Sequence, residues 1–475
     1  MPIAFGGLVR ALPPSPQVEA RISRLASDMR PVLDSGPDRD MKALIFDGTA
    51  IHIEDSTEIG LFQQLPSIEA FQLRARARAT KGEVVISGEQ PPEGYEEYNA
   101  NYLGLGQVEW LLAREGAAVA RNAWETTKCF QRLVEIANDG PTYIHPYMAS
   151  ADVWELADRL SKAVNRPIGV LGPPPALCKA INDKIFFYKL IEELLGPSGT
   201  VAWAFGDDIP TIATRVGEFA NRYERIAIRI ANSTAGLGLK VFDSSELRTV
   251  EKNALEPLCR RELASLGWDG SERVLIVQWE QSLKSVSVQM FVTPDGRVMH
   301  EGIYEQIFHR DAPFRFRGAR RSKLPDATAS RIVRDSTAIC SLLCRLGYLG
   351  RCSMDAILVG PDAEQIDVRW VDCNGRWGGV SVAHTFMSNI QGGLLERPFV
   401  LGSYQDGKLA THNFRSIVNL LGNRLYAPSN GSGTVLIYNI GLLRSKGRVD
   451  VVCLTDWRVA ASEDVVVDLD DLFKS

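Results

Sequence analysis

The sequence predicts a multidomain α/β and α+β chain, in which an open α/β unit precedes a region built mainly of paired strands. Three observations carry this reading. Strand-like and helix-like segments alternate through roughly the first 170 residues. A triple proline at 173–175 breaks that pattern. After it, apolar β-branched runs come in pairs around Gly, Pro and Asp turn signals, as in hairpins. The 475 residues suit about three domains at roughly 150 residues each.

Composition narrows the function classes. An apolar fraction of 45% and a charged fraction of 23% are those of an ordinary soluble globular protein. The formal charge of −5 leaves no basic excess for nucleic acid. No apolar run reaches the ~18 residues of a membrane span, and the opening MPIAFGGLVRALPPSP lacks a basic leader and a cleavage site. The eight cysteines are scattered at 129, 178, 259, 340, 344, 352, 373 and 453, so reduced thiols in a cytoplasm are expected. Cys340 and Cys344 share a helical face and suit core packing better than zinc.

Taken in order, residues 16–29 read as a helix. Residues 42–46, 83–87, 142–146 and 167–171 read as strands, and 122–137 and 152–163 as amphipathic helices. Together these form the open α/β unit. Asp47-Gly48 reads as a turn after the first strand. The alternation Arg74, Arg76, Arg78 suits an anion patch but reads more simply as a solvated face, and His145 as a packed histidine. Gly104-Leu105-Gly106-Gln107 resembles part of a dinucleotide fingerprint, but it lacks the preceding strand and the third glycine.

Beyond the prolines, Asn182-Asp183-Lys184 opens a helix that Gly196-Pro197 ends. A strand at 200–204, a helix at 210–223 and a strand at 225–230 lead to the loop ANSTAGLG at 231–238, with a second strand from Leu239. Hydroxyls and N–H groups in such a turn suit phosphates. No GK[ST] leads into a helix, so this is not a Walker loop. A helix at 245–265 and the strand RVLIVQW at 273–279 follow, then strands at 285–292 and 298–304 around an Asp295-Gly296 hairpin turn. Residues 309–323, HRDAPFRFRGARRSK, carry six Lys/Arg against one Asp and read as a mobile loop over phosphates or a carboxylate. After a helix at 330–346 comes the hairpin discussed below. Residues 381–393 are helical or looped, and His384 either approaches the site or packs. A helix at 414–421 and strands at 434–443 and 448–454 form a smaller C-terminal unit with an acidic tail, EDVVVDLDDLF.

The most informative stretch is GRCSMDAILVGPDAEQIDVRWVDCNGRWGG at 350–379. Its apolar runs at 352–359 and 366–373 flank Gly360-Pro361-Asp362 and read as a hairpin with its turn near Ala363. That register brings Asp355 opposite residues 371–373, and period-two alternation puts Asp372 and Asn374 on one face. Two carboxylates and an amide suit a hard cation such as Mg2+. From spacing alone, ordinary solvated residues on a polar face fit at least as well.

The order of these pieces from Asn182 to Arg376 resembles the ATP-grasp superfamily. The pieces are DK at a helix head, the IAIRI strand with its STAGLG loop, the VLIVQW strand followed by SVSV, and the D…DCNGR hairpin. More narrowly, the chain resembles the pheganomycin-type peptide ligases, which carry a pre-ATP-grasp domain. The resemblance implies a pre-ATP-grasp domain at 1–175, ATP-grasp subdomains at 176–280 and 281–400, and a small C-terminal domain at 401–475. It implies ATP between the two subdomains, with Lys184 and Arg229 toward the nucleotide and adenine on the backbone of Val277, Gln278 and Trp279. Ser233, Thr234, Ala235 and Gly236 would cover the phosphates, and Asp355, Asp372 and Asn374 would hold Mg2+. The sequence departs from the family at Arg229, where lysine is usual, at Asp372, where glutamate is usual, at Ser285, in place of a ribose-binding glutamate, and at Gln278, in place of an acidic residue.

The implied activity is ADP-forming ligation of a carboxylate to an amine through an acyl phosphate, joining an amino-acid-like carboxylate to an amino acid or peptide in natural-product biosynthesis. Arg376 would stabilise the transferring phosphoryl group or the later oxyanion. Arg315 and Arg317 would meet the substrate carboxylate. The implied setting is cytoplasmic, with small-molecule partners, no nucleic acid or membrane, and a homodimer as one compatible assembly. An ATP-grasp kinase and a non-catalytic ATP-binding regulator are the alternatives.

Overall fold

The computed structural model describes residues 9–10, 13–33, 46–61, 67–234, 236–309, 315–362, 365–390 and 394–455. Within them lie a five-stranded parallel sheet, a four-stranded sheet and a nine-stranded sheet. Strand β1 (Val9–Arg10) leads to the helix Pro16–Leu33. The parallel sheet consists of β2 (Thr49–Ile53), β3 (Val84–Ser87), β4 (Glu109–Leu112), β5 (Thr142–Pro146) and β6 (Gly169–Val170), ordered β4-β3-β2-β5-β6. Strands β3 and β5 are buried throughout, as expected of a sheet covered on both faces.

The strand expected at 42–46 lies, apart from Phe46, outside the described residues, and β2 begins directly after Asp47-Gly48. A Cβ at Gly48 would stand 2.0 Å from the Pro141 carbonyl oxygen, so only glycine lets the chain turn this tightly into the sheet beside β5. One expectation is corrected here: Arg74, Arg76 and Arg78 are not a solvated face. They lie buried in the 3-10 helix Ile68–Arg78, where Glu54 pairs with Arg74 and Arg78 and Glu96 with Arg76. Carboxylates distant in sequence make that burial tolerable.

The four-stranded antiparallel sheet contains β7 (Trp203–Gly206), β8 (Arg225–Ile230), β9 (Leu239–Asp243) and β10 (Val274–Gln278), ordered β7-β10-β8-β9. The helix Lys184–Leu195 starts where the sequence indicates, because the Asp183 carboxylate accepts from the N–H groups of Ile185 and Phe186.

The third sheet contains β11 (Lys284–Val292), β12 (Val298–Phe308), β13 (Phe316–Arg321), β14 (Gly350–Val359), β15 (Asp367–Asn374), β16 (Phe399–Gln405), β17 (Val435–Asn439) and β18 (Arg448–Leu454). Its order is β15-β14-β11-β12-β13-β16-β18-β17, with β1 on β12. The segment expected to be a mobile basic loop therefore contributes the interior strand β13. Residues 310–314 lie outside the described residues, but Gly318 explains the strand: a Cβ there would come within 2.2 Å of the Leu401 oxygen, so glycine admits β16 alongside.

The chain after residue 398 joins this sheet and shares an apolar core with the parallel-sheet domain. Tyr95 donates to the Tyr438 carbonyl at 3.1 Å, and Tyr98 accepts from the Ile437 N–H at 3.0 Å. Phe414 packs edge-on against both rings. A second core unites the helix Lys184–Leu195 with β11, β14 and the helix Asp326–Arg345. Among the described residues no helix is long and apolar enough to cross a membrane.

Candidate active site

Strands β14 and β15 place Asp355 directly opposite Asp372 and Ser353 opposite Asn374. The register slips after Asp355, where Ala356 pairs with Trp370. Val371 is thus the extra residue of a β-bulge, and its carbonyl accepts from Arg229 Nη1 at 3.0 Å. The bulge keeps both aspartates on one face and ties that face to β8.

The two carboxylates are electrostatically unlike. Asp372 lies 3.3 Å from Arg229 and 3.5 Å from Lys184. Burial and the neighbouring Asp372 charge push Asp355 up to about 6, and its Oδ1 is buried without a hydrogen-bond partner. An orphaned carboxylate oxygen beside a second carboxylate fits a cation. Among the described residues no three His, Cys, Asp or Glu side chains form a metal-binding group, so Asn374 would have to supply the third oxygen. That oxygen now accepts from Arg376 Nη2 at 2.7 Å.

Lys184 is buried beneath the hydroxyl-rich loop rather than facing the cavity. Its ammonium donates to the carbonyls of Ala231 and Ser233, and burial lowers its pKa. It therefore shapes the loop backbone. Arg229, Thr234 and Gly236 line the cavity. Ser233 turns inward and donates to the Ile230 carbonyl at 2.8 Å, and Ala235 falls outside the described residues. Gly236 and Gly238 have φ of +77° and +68°, a region that favours glycine.

Val277, Gln278 and Trp279 line the same cavity. The N–H groups of Gln278 and Trp279 are already committed to the Ala202 and Arg225 carbonyls, both at 2.9 Å. Beyond β10, residues 280–282 continue the wall. Ser285 also lines it and donates to Gln306 at 2.7 Å.

Arg376 meets the loop and the first domain at once. Its Nη2 donates to Thr234 Oγ1 at 2.8 Å, and its Nη1 donates to the Tyr147 hydroxyl at 3.2 Å and to the Trp377 carbonyl at 2.8 Å. Among the described residues it pairs with no carboxylate. Tyr147 follows β5, with its N–H on Ile53 and its carbonyl accepting from Trp377. Its ring also lies against the Arg74 guanidinium at 4.6 Å. Sequence reasoning missed Tyr147 and preferred a solvated face to an anion patch for Arg74. The only sequence signal for Tyr147 was its place at a parallel-strand C-terminus.

Arg317 lines the cavity, whereas Arg315 is exposed and stands outside the lining. His384 is buried against Tyr304 and packs. Cys352 and Cys373 are buried in the core. The cavity holds about 580 Å³ and runs from Trp279 past the aspartates to Ser403, Tyr438, Arg448 and Asp450.

No protein-family profile matches the chain, and no curated protein matches it in sequence. Solved structures do resemble it. An ADP complex of N5-carboxyaminoimidazole ribonucleotide synthetase superposes with a TM-score of 0.55 at 14% identity, covering 91% of this chain and 99% of the other. The Staphylococcus aureus N5-carboxyaminoimidazole synthetase with ADP gives 0.53 at 12%, covering 89% and 97%. The biotin carboxylase of Campylobacter jejuni, in a β,γ-ATP complex, gives 0.51 at 13%, covering 86% and 87%. The fold is thus that of the ATP-grasp enzymes, with a parallel-sheet domain in front, as the sequence indicated.

Proposed function

We propose that this chain is an ADP-forming, ATP-dependent carboxylate–amine ligase that joins an amino-acid-like carboxylate to the amine of an amino acid or peptide. One observation carries the reading: the orphaned Asp355 oxygen, Asp372 and the unpaired-by-carboxylate Arg376 converge under a glycine-rich loop in a single cavity. The resemblance to ATP-grasp ligases underlies our assignment of domains at 1–175, 176–280 and 281–400, with 401–475 as a C-terminal segment whose strands complete the sheet of the third.

Carboxylate and amine do not condense in water near neutral pH, because both are ionised. Transfer of the γ-phosphoryl group of ATP to the carboxylate gives an acyl phosphate and ADP, and the amine then attacks the acyl carbon and displaces phosphate. Asp355, Asp372 and Asn374 would hold Mg2+, which when bound draws charge from the phosphate oxygens. Lys184 holds the loop backbone, Arg229 fixes Asp372, and Thr234 and Gly236 cover the phosphates. Arg376 presents its N–H groups to the charge that develops on the phosphoryl group and then on the tetrahedral carbon's oxygen. Arg317 is the better placed of the two basic-strand arginines for the substrate carboxylate. Tyr147 and Trp377 close the wall behind Arg376, which limits hydrolysis of the acyl phosphate.

The test is Mg2+-dependent ADP release over a panel of amino acids and short peptides, with mass spectrometry of the products. Asp372→Ala should lower ADP formation by at least about a hundredfold while the circular dichroism spectrum is kept. Unchanged turnover in that variant would sink the proposal. ADP release without amine dependence would mark a kinase, and ATP binding without ADP release a regulatory protein.

A further inference from the structure

The end of the cavity away from Trp279 holds more buried positive charge than the described residues balance. Arg74, only 8% exposed, and Arg78, 3% exposed, share the single carboxylate of Glu54. Among the described residues, one of these two guanidinium charges is therefore left without a counter-ion. Arg74 lines the cavity. Arg448, from β18, pairs its Nε with Asp450 at 2.8 Å, and that carboxylate also accepts from Ser403 and Asn439. Both guanidinium groups lie over the Phe71 ring, Arg74 at 5.1 Å and Arg448 at 5.7 Å. The Phe71 ring thus contacts two arginines from distant parts of the chain, both of which line the cavity, and Tyr438 adds a further wall.

Burying an uncompensated guanidinium is unfavourable unless a counter-charge arrives, and a guanidinium fork matches a carboxylate. We propose that this end is a second anion subsite, built by Arg74 and Arg448 on Phe71, for a substrate carboxylate other than the one that is phosphorylated. Resting on the ligase reading, the group has two possible sources. It is either the acceptor's own carboxylate, as in a free amino acid or peptide, or the distal carboxylate of a dicarboxylic donor.

Binding is tested apart from turnover. N-acetylphenylalanine and its neutral carboxamide are titrated calorimetrically into the parent protein, Arg74→Gln, Arg74→Lys and Arg376→Gln. The parent should prefer the acid by about tenfold or more, as a charge-assisted contact gives. Arg74→Gln should lose that preference, Arg74→Lys recover most of it, and Arg376→Gln keep it. Arg74→Gln leaves Glu54 and Arg78 as a balanced pair, so its melting temperature should hold or rise. A merely structural Arg74 would instead lower it. Equal affinity for acid and carboxamide in the parent, or an unchanged preference in Arg74→Gln, overturns the subsite. ADP release then separates the sources: acceptors are offered as free acids and carboxamides, and donors as dicarboxylates and monoamides. A discriminated acceptor pair assigns the acceptor carboxylate, and a discriminated donor pair the distal one. No ADP release from any pair, with the acid preference intact, defeats the ligase reading and leaves the subsite standing.

Discussion

Asp355 is the residue whose environment most contradicts its chemistry as an isolated carboxylate. It is half-buried opposite Asp372, with one oxygen fully buried and unpaired, so its charge costs stability in the metal-free protein. Asp355→Asn should therefore raise the stability of metal-free protein at pH 8 by about 1–3 kcal/mol in urea titrations, and it should abolish Mg2+-dependent ADP formation. A variant less stable than the parent would refute this account. His145 acts in the opposite sense. Burial, then the charges of His52, Arg78 and Arg351, hold it well below its ordinary value of 6.5. The unfolded chain takes up that proton and the folded chain does not, so stability is complete above 6.5 and falls as pH drops below it, by up to about 1.4 kcal/mol per pH unit. His145→Phe should flatten the fall of the urea midpoint between about pH 7 and 5. The aspartates were legible in the sequence because a hairpin relates its residues by local register. Tyr147 and Arg74 were not, because what brings them to Arg376 and the cavity is the docking of a domain hundreds of residues away in sequence.

At the scale of elements, the hairpin is positioned by its far end. Gly375 follows β15 and donates to Asn182 Oδ1 at 3.1 Å. A Cβ there would meet Ile181 Cγ2 at 2.1 Å. Gly375→Ala should cost about 1–3 kcal/mol by overpacking and shift Asn374 and Arg376, so that kcat for ADP release falls before KM for ATP rises. Equal kinetics in the variant would show that the hairpin end is free to move. Strands bounded by turn residues were readable, as at β8, β14 and β18. The strand β13 was not, since its arginines suggest solvent, and only Gly318 hints at the close neighbour that buries it. Arg74, Arg76 and Arg78 misled for the same reason: propensity reports the charge of a segment, not whether Glu54 and Glu96 will fold onto it.

The whole molecule is bound together by the chain after residue 398, which both extends the sheet carrying the hairpin and packs Phe414 and Tyr438 against the first domain. Truncation after residue 398 should expose the β13 edge and yield aggregate rather than a shorter folded protein, as size-exclusion chromatography would report. A monodisperse truncated protein would show the segment to be dispensable. The hydrogen bonds of Arg376 have one more consequence. Its Nη2 is held by Asn374 and Thr234, the same two groups that a nucleotide and its cation would claim. The guanidinium is therefore released for the transferring phosphoryl group only once those groups are drawn away, which makes the reaction a queue. Nucleotide enters first and the acid second, and product inhibition should show ADP competing with ATP alone, as in a compulsory-order scheme.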